Sequence, residues 1–220
     1  MMKKDIVLFG AGGLGRAVLW LLETNNLLKN SWNILGFVDD TPNLQNTVVN
    51  GYPILGSTEW LLKYKMNISV VCCVADPHAR KKIIEKLAEN SHITFPTVIA
   101  DNVLISPLTK LGRGCIICAS TILPVNMVIG DFVVINYGCI LGHDDIINNY
   151  VTLYPSVTIA GNVSVGDCTE IGAGVHIHQK KSIGSHSIIG IGSVVISDVP
   201  DNCTIFGNPA KIVQYHERKQ

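Results

Sequence analysis

Apolar residues fall on two different periods along this 220-residue chain, and the change of period divides it. Over the first 95 residues, short apolar runs alternate with segments in which apolar residues recur every three or four positions. "DIVLFG" from Asp5, "WNILGFVDD" from Trp32 and "ISVVCCVAD" from Ile68 read as strands. "LGRAVLWLLETNN" from Leu14 and "PHARKKIIEKLAEN" from Pro77 read as helices, the second opened by Asp76 and Pro77. Strands alternating with helices predict α/β organisation. From Ile99 to Val195 the period becomes six: every sixth residue is Ile, Leu or Val, without a slip. The next position is usually small, as at Gly112, Gly130, Gly142, Gly166, Gly172, Gly184 and Gly190, and the fifth is usually Val, Thr, Ser or Cys. A six-residue unit of this kind makes one strand and one corner. Three such units close a triangular coil of about eighteen residues, and the coils stack into a parallel β-solenoid. The period and the frequent glycines exclude helix here. The chain is therefore expected to carry a Rossmann-like half domain over residues 1–95 and a solenoid over 96–220.

The first strand runs into "GAGGLG", which places Gly10, Gly12 and Gly15 in GxGxxG spacing directly before a helix. Glycines there let a backbone approach a phosphate while the helix N-terminus offers unpaired N–H groups. Asp39 and Asp40 end the second strand, where a carboxylate can accept from ribose or base donors, and Ala75 and Asp76 end the third at the same edge. Three readings of the loop stay open: a site for one nucleotide or a nucleotide-linked molecule, a tight turn without ligand, and a dinucleotide site. A dinucleotide needs two mononucleotide-binding halves, and only one precedes the repeats.

Composition narrows the function classes. Hydrophobic residues make up 47% of the chain, enough for a packed core, and 17 basic residues balance 17 acidic ones, which argues against nucleic acid or an anionic membrane surface as partner. The apolar run at the N-terminus is too short for a secretory segment or a membrane span, so a cytoplasmic location is expected. Seven irregularly spaced cysteines point to reduced thiols. Cys115 and Cys118 lack a second ligand pair, and His176, His178 and His186 do not stack at eighteen residues, so no metal is expected; the histidines read as surface or cofactor-edge residues.

"LGHDD" interrupts the repeat with an imidazole and two acids. In an eighteen-residue coil Gly161 stacks on His143, leaving room for a ligand beside the ring and a glycine N–H to face a developing oxyanion. Asp144 would fix the ring tautomer and make His143 a better base. The alternative is a pair of ordinary solvated corner residues. Cys139 is a conceivable acyl carrier, but it occupies the inward fifth position.

Taken together, "FGAGGLGR", "LGFVDD", "YPILGS", the hexapeptide run, "GHD", "IAGNVSVGD" and "IFGNPAKIV" resemble the bacterial sugar O- and N-acyltransferases of the left-handed β-helix class. That class includes sialic acid O-acetyltransferases and the acetyltransferases of nucleotide-linked 4-amino-6-deoxysugars. The resemblance implies a left-handed solenoid, a homotrimer, acetyl-coenzyme A in grooves between prisms and a nucleotide sugar held by the N-terminal domain. It implies His143 as general base, Asp144 as its partner and the Gly161 amide as donor to the thioester oxygen. It assigns Gly12, Gly13, Leu14, Asp39, Asp40 and Ala75 to the nucleotide sugar, Asn136 to the acceptor amine, and Thr152, Gly161, Ala173 and Ile191 to coenzyme A. Relatives often carry histidine where this chain has Leu14, and some carry it where this chain has Thr152. The expected activity is acetyl transfer to a nucleotide-linked 4-aminosugar, with sialic acid O-acetylation as the second reading. An NAD-dependent oxidoreductase and a non-catalytic trimeric scaffold are the readings outside this class.

Overall fold

The computed structural model describes residues 3–217 and divides into a unit that ends at Ala100 and a second that begins at Asp101. In the first, β1 (Lys4–Phe9), α1 (Gly13–Lys29) and β2 (Trp32–Val38) are followed by the short β3 (Val48–Val49) and β4 (Tyr52–Gly56). Then come α2 (Thr58–Lys63), β5 (Ile68–Cys72), α3 (Pro77–Leu87) and β6 (Ile93–Thr94). The strands form one sheet in the order β3-β4-β2-β1-β5-β6, parallel except for the β3–β4 hairpin. Ile6, Val7 and Leu8 of β1 and Val70 and Val71 of β5 are buried without alternation, as central parallel strands covered on both faces must be. Val18, Leu19 and Leu22 of α1 pack onto the sheet region from helical spacing.

Two boundaries differ from the sequence expectation. Helix α1 continues past Asn26 to Lys29, because the Asn26 side chain fastens the exit turn: its Nδ2 donates to the Trp32 carbonyl (2.9 Å) and its Oδ1 accepts from the Trp32 N–H (3.0 Å). Helix α3 stops at Leu87, and Asn90 instead donates to the Leu61 and Tyr64 carbonyls. Asp76 caps α3 as expected, accepting from the Ala79 N–H at 2.8 Å. The β3–β4 hairpin, which the sequence reading passed over, turns on Asn50-Gly51, both of which take positive φ.

The second unit is the solenoid. Ile117, Ile135, Leu153, Ile171 and Ile189 stack on one side, Leu111, Ile129, Ile147, Val165 and Ile183 on another, and Ile159, Ile177 and Val195 on the third, each pairing in parallel with the residue eighteen further on. From Ile117 to Val195 every residue of the six-residue aliphatic register is buried. The residue two before each of them forms a second inward column that includes Thr121, Cys139, Val151, Val163, Thr169 and Ser187. Corners recur at the same period: Ser120, Asn126, Phe132, Asp144, Tyr150, Ser156, Asn162, Cys168, Lys180 and His186 all have φ near +60°. A non-glycine residue there costs about 1 kcal/mol, and the repeated coil-to-coil bonds hold each corner in place.

Candidate active site

His143 and Asp144 form the corner that follows Leu141 of the solenoid side running through Leu123 and Ile159. Asp144 takes the left-handed corner conformation (φ +60°), and its N–H donates to the carbonyl of Val125 in the coil below. That turn folds its carboxylate back: Oδ2 lies 2.7 Å from His143 Nδ1, and Oδ1 accepts from Asn126 Nδ2 at 3.1 Å. The hydrogen bond to His143, followed by that from Asn126, holds the Asp144 carboxyl below the usual range, so it is ionised and can only accept. Nδ1 must therefore donate, which leaves the Nε2 lone pair of the neutral ring facing outward chemistry. Both side chains are exposed.

Gly161 stands one coil on, as the eighteen-residue register requires. A methyl group there would meet His143 Nε2 at 2.7 Å, Cε1 at 2.8 Å and Cδ2 at 3.0 Å, so the ring lies face-on against the bare Cα. The Gly161 carbonyl accepts from Lys180, whereas its N–H has no acceptor among the described residues. A base and an uncommitted amide donor thus share one corner column, the arrangement acyl transfer needs for proton removal and oxyanion stabilisation.

Asp145 was missed by the sequence reading. It sits between Cys139 and Val151 in the inward column of small residues and has no exposed surface. Its Oδ2 accepts from the Gly142 N–H and its Oδ1 from the Val163 N–H, both at 2.8 Å. Burial pushes its carboxyl up to about 6, against the pull of those two N–H groups and of His143. The signal was its register: 145 is six beyond 139 and six before 151. Cys139 is inward as expected, fully buried, with its thiol pushed up to about 11 by burial and donating to the Tyr154 carbonyl.

In the first unit, chain order reverses between β1 and β5, so the loops after these strands face one crevice at the sheet's C-terminal edge. Gly12 and Gly13 open α1 with empty space where side chains would be. Gly15 is packed so closely that a Cβ would overlap the Gly10 carbonyl oxygen, which brings helix and strand together. Leu14 is half-buried and Ala75 lies across the crevice in the loop after β5. That loop is held by Arg80, 1% exposed, whose Nη1 donates to the Val74 and Ala75 carbonyls. Arg80 also escaped the sequence reading, although it precedes Ile84 and Leu87 on the buried face of α3 at helical spacing.

Both aspartates after β2 hold the crevice together instead of standing free. Asp39 accepts from the Ala11 N–H (2.8 Å) and the Thr41 N–H (2.9 Å), tying the glycine loop to β2; burial raises its carboxyl, but these bonds outweigh it and leave the group lowered. Asp40 accepts from the Thr58 N–H and hydroxyl, both at 2.6 Å, at the start of α2. Each carboxylate oxygen is therefore already engaged, and their first role is architectural.

The remaining expected residues do not gather at His143. Asn136, Ala173 and Ile191 lie on the corner after the strands Val134–Ile135, Glu170–Ile171 and Ile188–Ile189, whereas His143 and Gly161 lie on the next corner along the coil. Asn136 Nδ2 donates to the Leu153 carbonyl at 2.9 Å, as Asn148 Nδ2 does to Val165. Ile191 is 66% exposed and stacks one coil from Ala173. Thr152, paired with Val134 and Glu170, has no exposed surface, so its side chain is closed to a ligand and leaves the coenzyme A set.

Comparison with known proteins agrees with this architecture. Residues 5–87 match the PglD N-terminal domain family. The acetyltransferase domain of PglB from Neisseria gonorrhoeae, solved with acetyl coenzyme A, is 28% identical with a TM-score of 0.87 over 96% of this chain and 100% of that one. A variant of perosamine N-acetyltransferase from Caulobacter crescentus, solved with CoA and GDP-perosamine, is 27% identical with a TM-score of 0.87 over 96% and 97%. WeeI from Acinetobacter baumannii AYE is 31% identical with a TM-score of 0.86 over 96% and 100%. Among curated proteins, an acyl-[acyl-carrier-protein]–UDP-N-acetylglucosamine O-acyltransferase from Stutzerimonas stutzeri is 35% identical over 52% of this chain, and the match spans 42% of that protein's length. A PglD-type α/β unit joined to an eighteen-residue coil, shared over whole chains with these structures, places the protein in the hexapeptide family of left-handed β-helix acyltransferases.

Proposed function

We propose that this protein transfers acetyl from acetyl-coenzyme A to the 4-amino group of a nucleotide-linked 4-amino-4,6-dideoxysugar. The observation that carries the reading is the corner column of His143 and Gly161: a base fixed in one tautomer by Asp144, stacked on a residue whose N–H is uncommitted. In this reaction His143 Nε2 takes a proton from the acceptor nitrogen as it attacks the thioester carbonyl. The Gly161 N–H receives the negative charge that develops on the carbonyl oxygen, and coenzyme A leaves as the thiol. No covalent enzyme intermediate is needed, in keeping with the burial of Cys139.

The nucleotide is assigned to the crevice between β1 and β5, with its phosphates at the open N-terminus of α1 beside Gly12, Gly13 and Leu14, and Ala75 across from them. Asp39 and Asp40 shape this pocket and keep lone pairs for a ribose or base. Beyond β5 only the two-residue β6 joins this sheet, which favours one nucleotide over NAD. The similarity to structures solved with CoA and GDP-perosamine, and with acetyl coenzyme A, supports both ligand assignments.

A homotrimer accounts for two further features. Ala173 and Ile191, assigned to coenzyme A, and Asn136, assigned to the acceptor, lie on a different corner from His143, so a neighbouring protomer has to complete the site. Val125, Val128, Ile140 and Ile146 surround His143 and are each at least 42% exposed, an apolar rim suited to burial against another copy. Among the described residues no helix is long and apolar enough to cross a membrane, and a cytoplasmic location, where acetyl-coenzyme A and sugar nucleotides are at hand, fits the reaction.

Thermal melting separates the readings. Acetyl-coenzyme A and one of UDP, GDP or dTDP are expected to raise Tm, by the equivalent of about 2.7 kcal/mol at a hundredfold excess over Kd, and NAD is expected to leave it unchanged. A rise with NAD alone would assign the crevice to an oxidoreductase; no rise with any of the five would leave a scaffold.

A further inference from the structure

The coil that carries His143 breaks a rule that its neighbours keep. At every sixth residue from Ser106 to His178 the backbone N–H donates to the carbonyl seventeen residues ahead, as Ser106 does to Leu123, Ala160 to Ile177 and His178 to Val195. There are two exceptions. Pro124 has no N–H, and Gly142, the residue before His143, donates to Asp145 Oδ2 instead of entering the ladder. Strand pairing lapses at the same place, where Ile140 is joined to Ile122 and Thr158 only by single bridges.

Asp145 is also the exception in its own column. Elsewhere the inward polar side chains donate to a carbonyl of the next coil: Thr121 to Asn136, Cys139 to Tyr154, Thr169 to Gly184. Asp145 accepts. One oxygen takes the Gly142 N–H beside His143, and the other takes the Val163 N–H two residues beyond Gly161. A single buried carboxylate therefore clamps the coil of the base to the coil of the amide donor. Gly142 fits this close approach because a Cβ there would overlap the Gly161 nitrogen.

We propose that Asp145 is a positioning residue: by drawing the Gly142 N–H out of the ladder and binding the next coil at Val163, it sets the angle at which the His143 imidazole meets Gly161. The kinetic side of this assignment rests on the acetyl-transfer reading; the geometric side does not. Two acceptor oxygens are needed at once, so the carboxylate must be ionised to act. Its titration is governed first by burial, then by the Val163 and Gly142 N–H groups and by the charges of His143 and Asp144, and lies near 6 against 3.8 for an ordinary Asp. The folded-state value is the higher one. Between about pH 4 and 6 the folded protein thus holds a proton that the unfolded chain has released, and this group's contribution to stability falls as pH rises through that window. At neutral pH the ionised carboxylate burdens the fold, as a charge kept for its geometry does.

The test is Asp145→Thr. Thr169 shows that threonine fits this column, donating to Gly184 and accepting from the Ser187 N–H, so the Val163 bond has a replacement and the Gly142 bond does not. The variant is expected to melt no lower than the parent at about pH 8 and to lack the parent's gain in Tm on acidification toward about pH 5. With acetyl-coenzyme A and UDP-, GDP- and dTDP-linked 4-amino-4,6-dideoxyhexoses, kcat should fall about ten- to hundredfold with KM for acetyl-coenzyme A nearly unchanged. Its crystal structure should show the Gly142 N–H on the Ile159 carbonyl and the imidazole moved from Gly161. Parent-like kcat, or a lower Tm with Gly142 and His143 unmoved, would overturn the proposal. Should the parent acetylate none of the three sugars, the acetyl-transfer reading fails separately, and the variant's crystal structure still decides whether Asp145 places the ring.

Discussion

Replacing His143 by alanine is expected to lower kcat for acetyl transfer by about 10²- to 10⁴-fold, the range a positioned general base supplies, with fold and assembly unchanged. The side chain is exposed and contributes no core packing, and its main-chain bond, the carbonyl accepting from Asn162, survives the substitution. KM for either substrate should move little, because the imidazole acts on the proton in flight and not on the bound ground state. Steady-state kinetics with a light-scattering mass in parallel checks this. A parent-like kcat in a folded variant would remove the base from the mechanism, whereas loss of assembly would recast His143 as an interface residue.

A single methyl group placed on Gly161 should do nearly as much. Its carbon would sit 2.7 Å from Nε2 and 2.8 Å from Cε1, closer than any real contact, so the ring has to swing away. The Gly161 backbone has no positive φ, and alanine keeps the N–H, so the fold and the oxyanion donor both remain. Because His143 is open to solvent, the displacement costs little stability, but about 1 Å of misplacement is worth about 10²-fold in rate. Gly161→Ala is therefore expected to lose on the order of 10²-fold in kcat with Tm close to the parent. In the His143→Ala background the same methyl meets no ring and should add little, the signature of two residues acting through one contact. Additive losses would mean that Gly161 acts without the histidine.

What could be read from the residues themselves depended on how strictly a period constrains them. The solenoid was legible because an inward aliphatic at every sixth position, closed in threes, makes an eighteen-residue coil, and the same register stacks Gly161 on His143. The first unit was legible where apolar runs end in glycine or in Asp-Pro. It was less so at Asn26, whose breaker character was offset by its bonds to Trp32. Polar residues that serve as internal struts were missed. Asp39 and Asp40 read in sequence as ligand carboxylates, and the fold adds a bracing role that the sequence did not show: Asp39 accepts from the Ala11 and Thr41 N–H groups, and Asp40 from the Thr58 N–H and hydroxyl. Asp145 and Arg80 occupy positions that their own periods mark as buried; recognising them requires asking what a charge does at an apolar register position. Thr152 is the reverse case, a ligand position by resemblance that the fold closes.

Incubating the protein with acetyl-coenzyme A and each of UDP-, GDP- and dTDP-4-amino-4,6-dideoxyhexose, then weighing the sugar nucleotides by mass spectrometry, tests the central claim most directly. One of the three should gain a single acetyl group on its amine, with one free coenzyme A thiol per product, and the His143→Ala protein should form almost none. Release of no thiol with any of them, or acetyl found only on a hydroxyl of sialic acid offered in the same assay, would contradict the account.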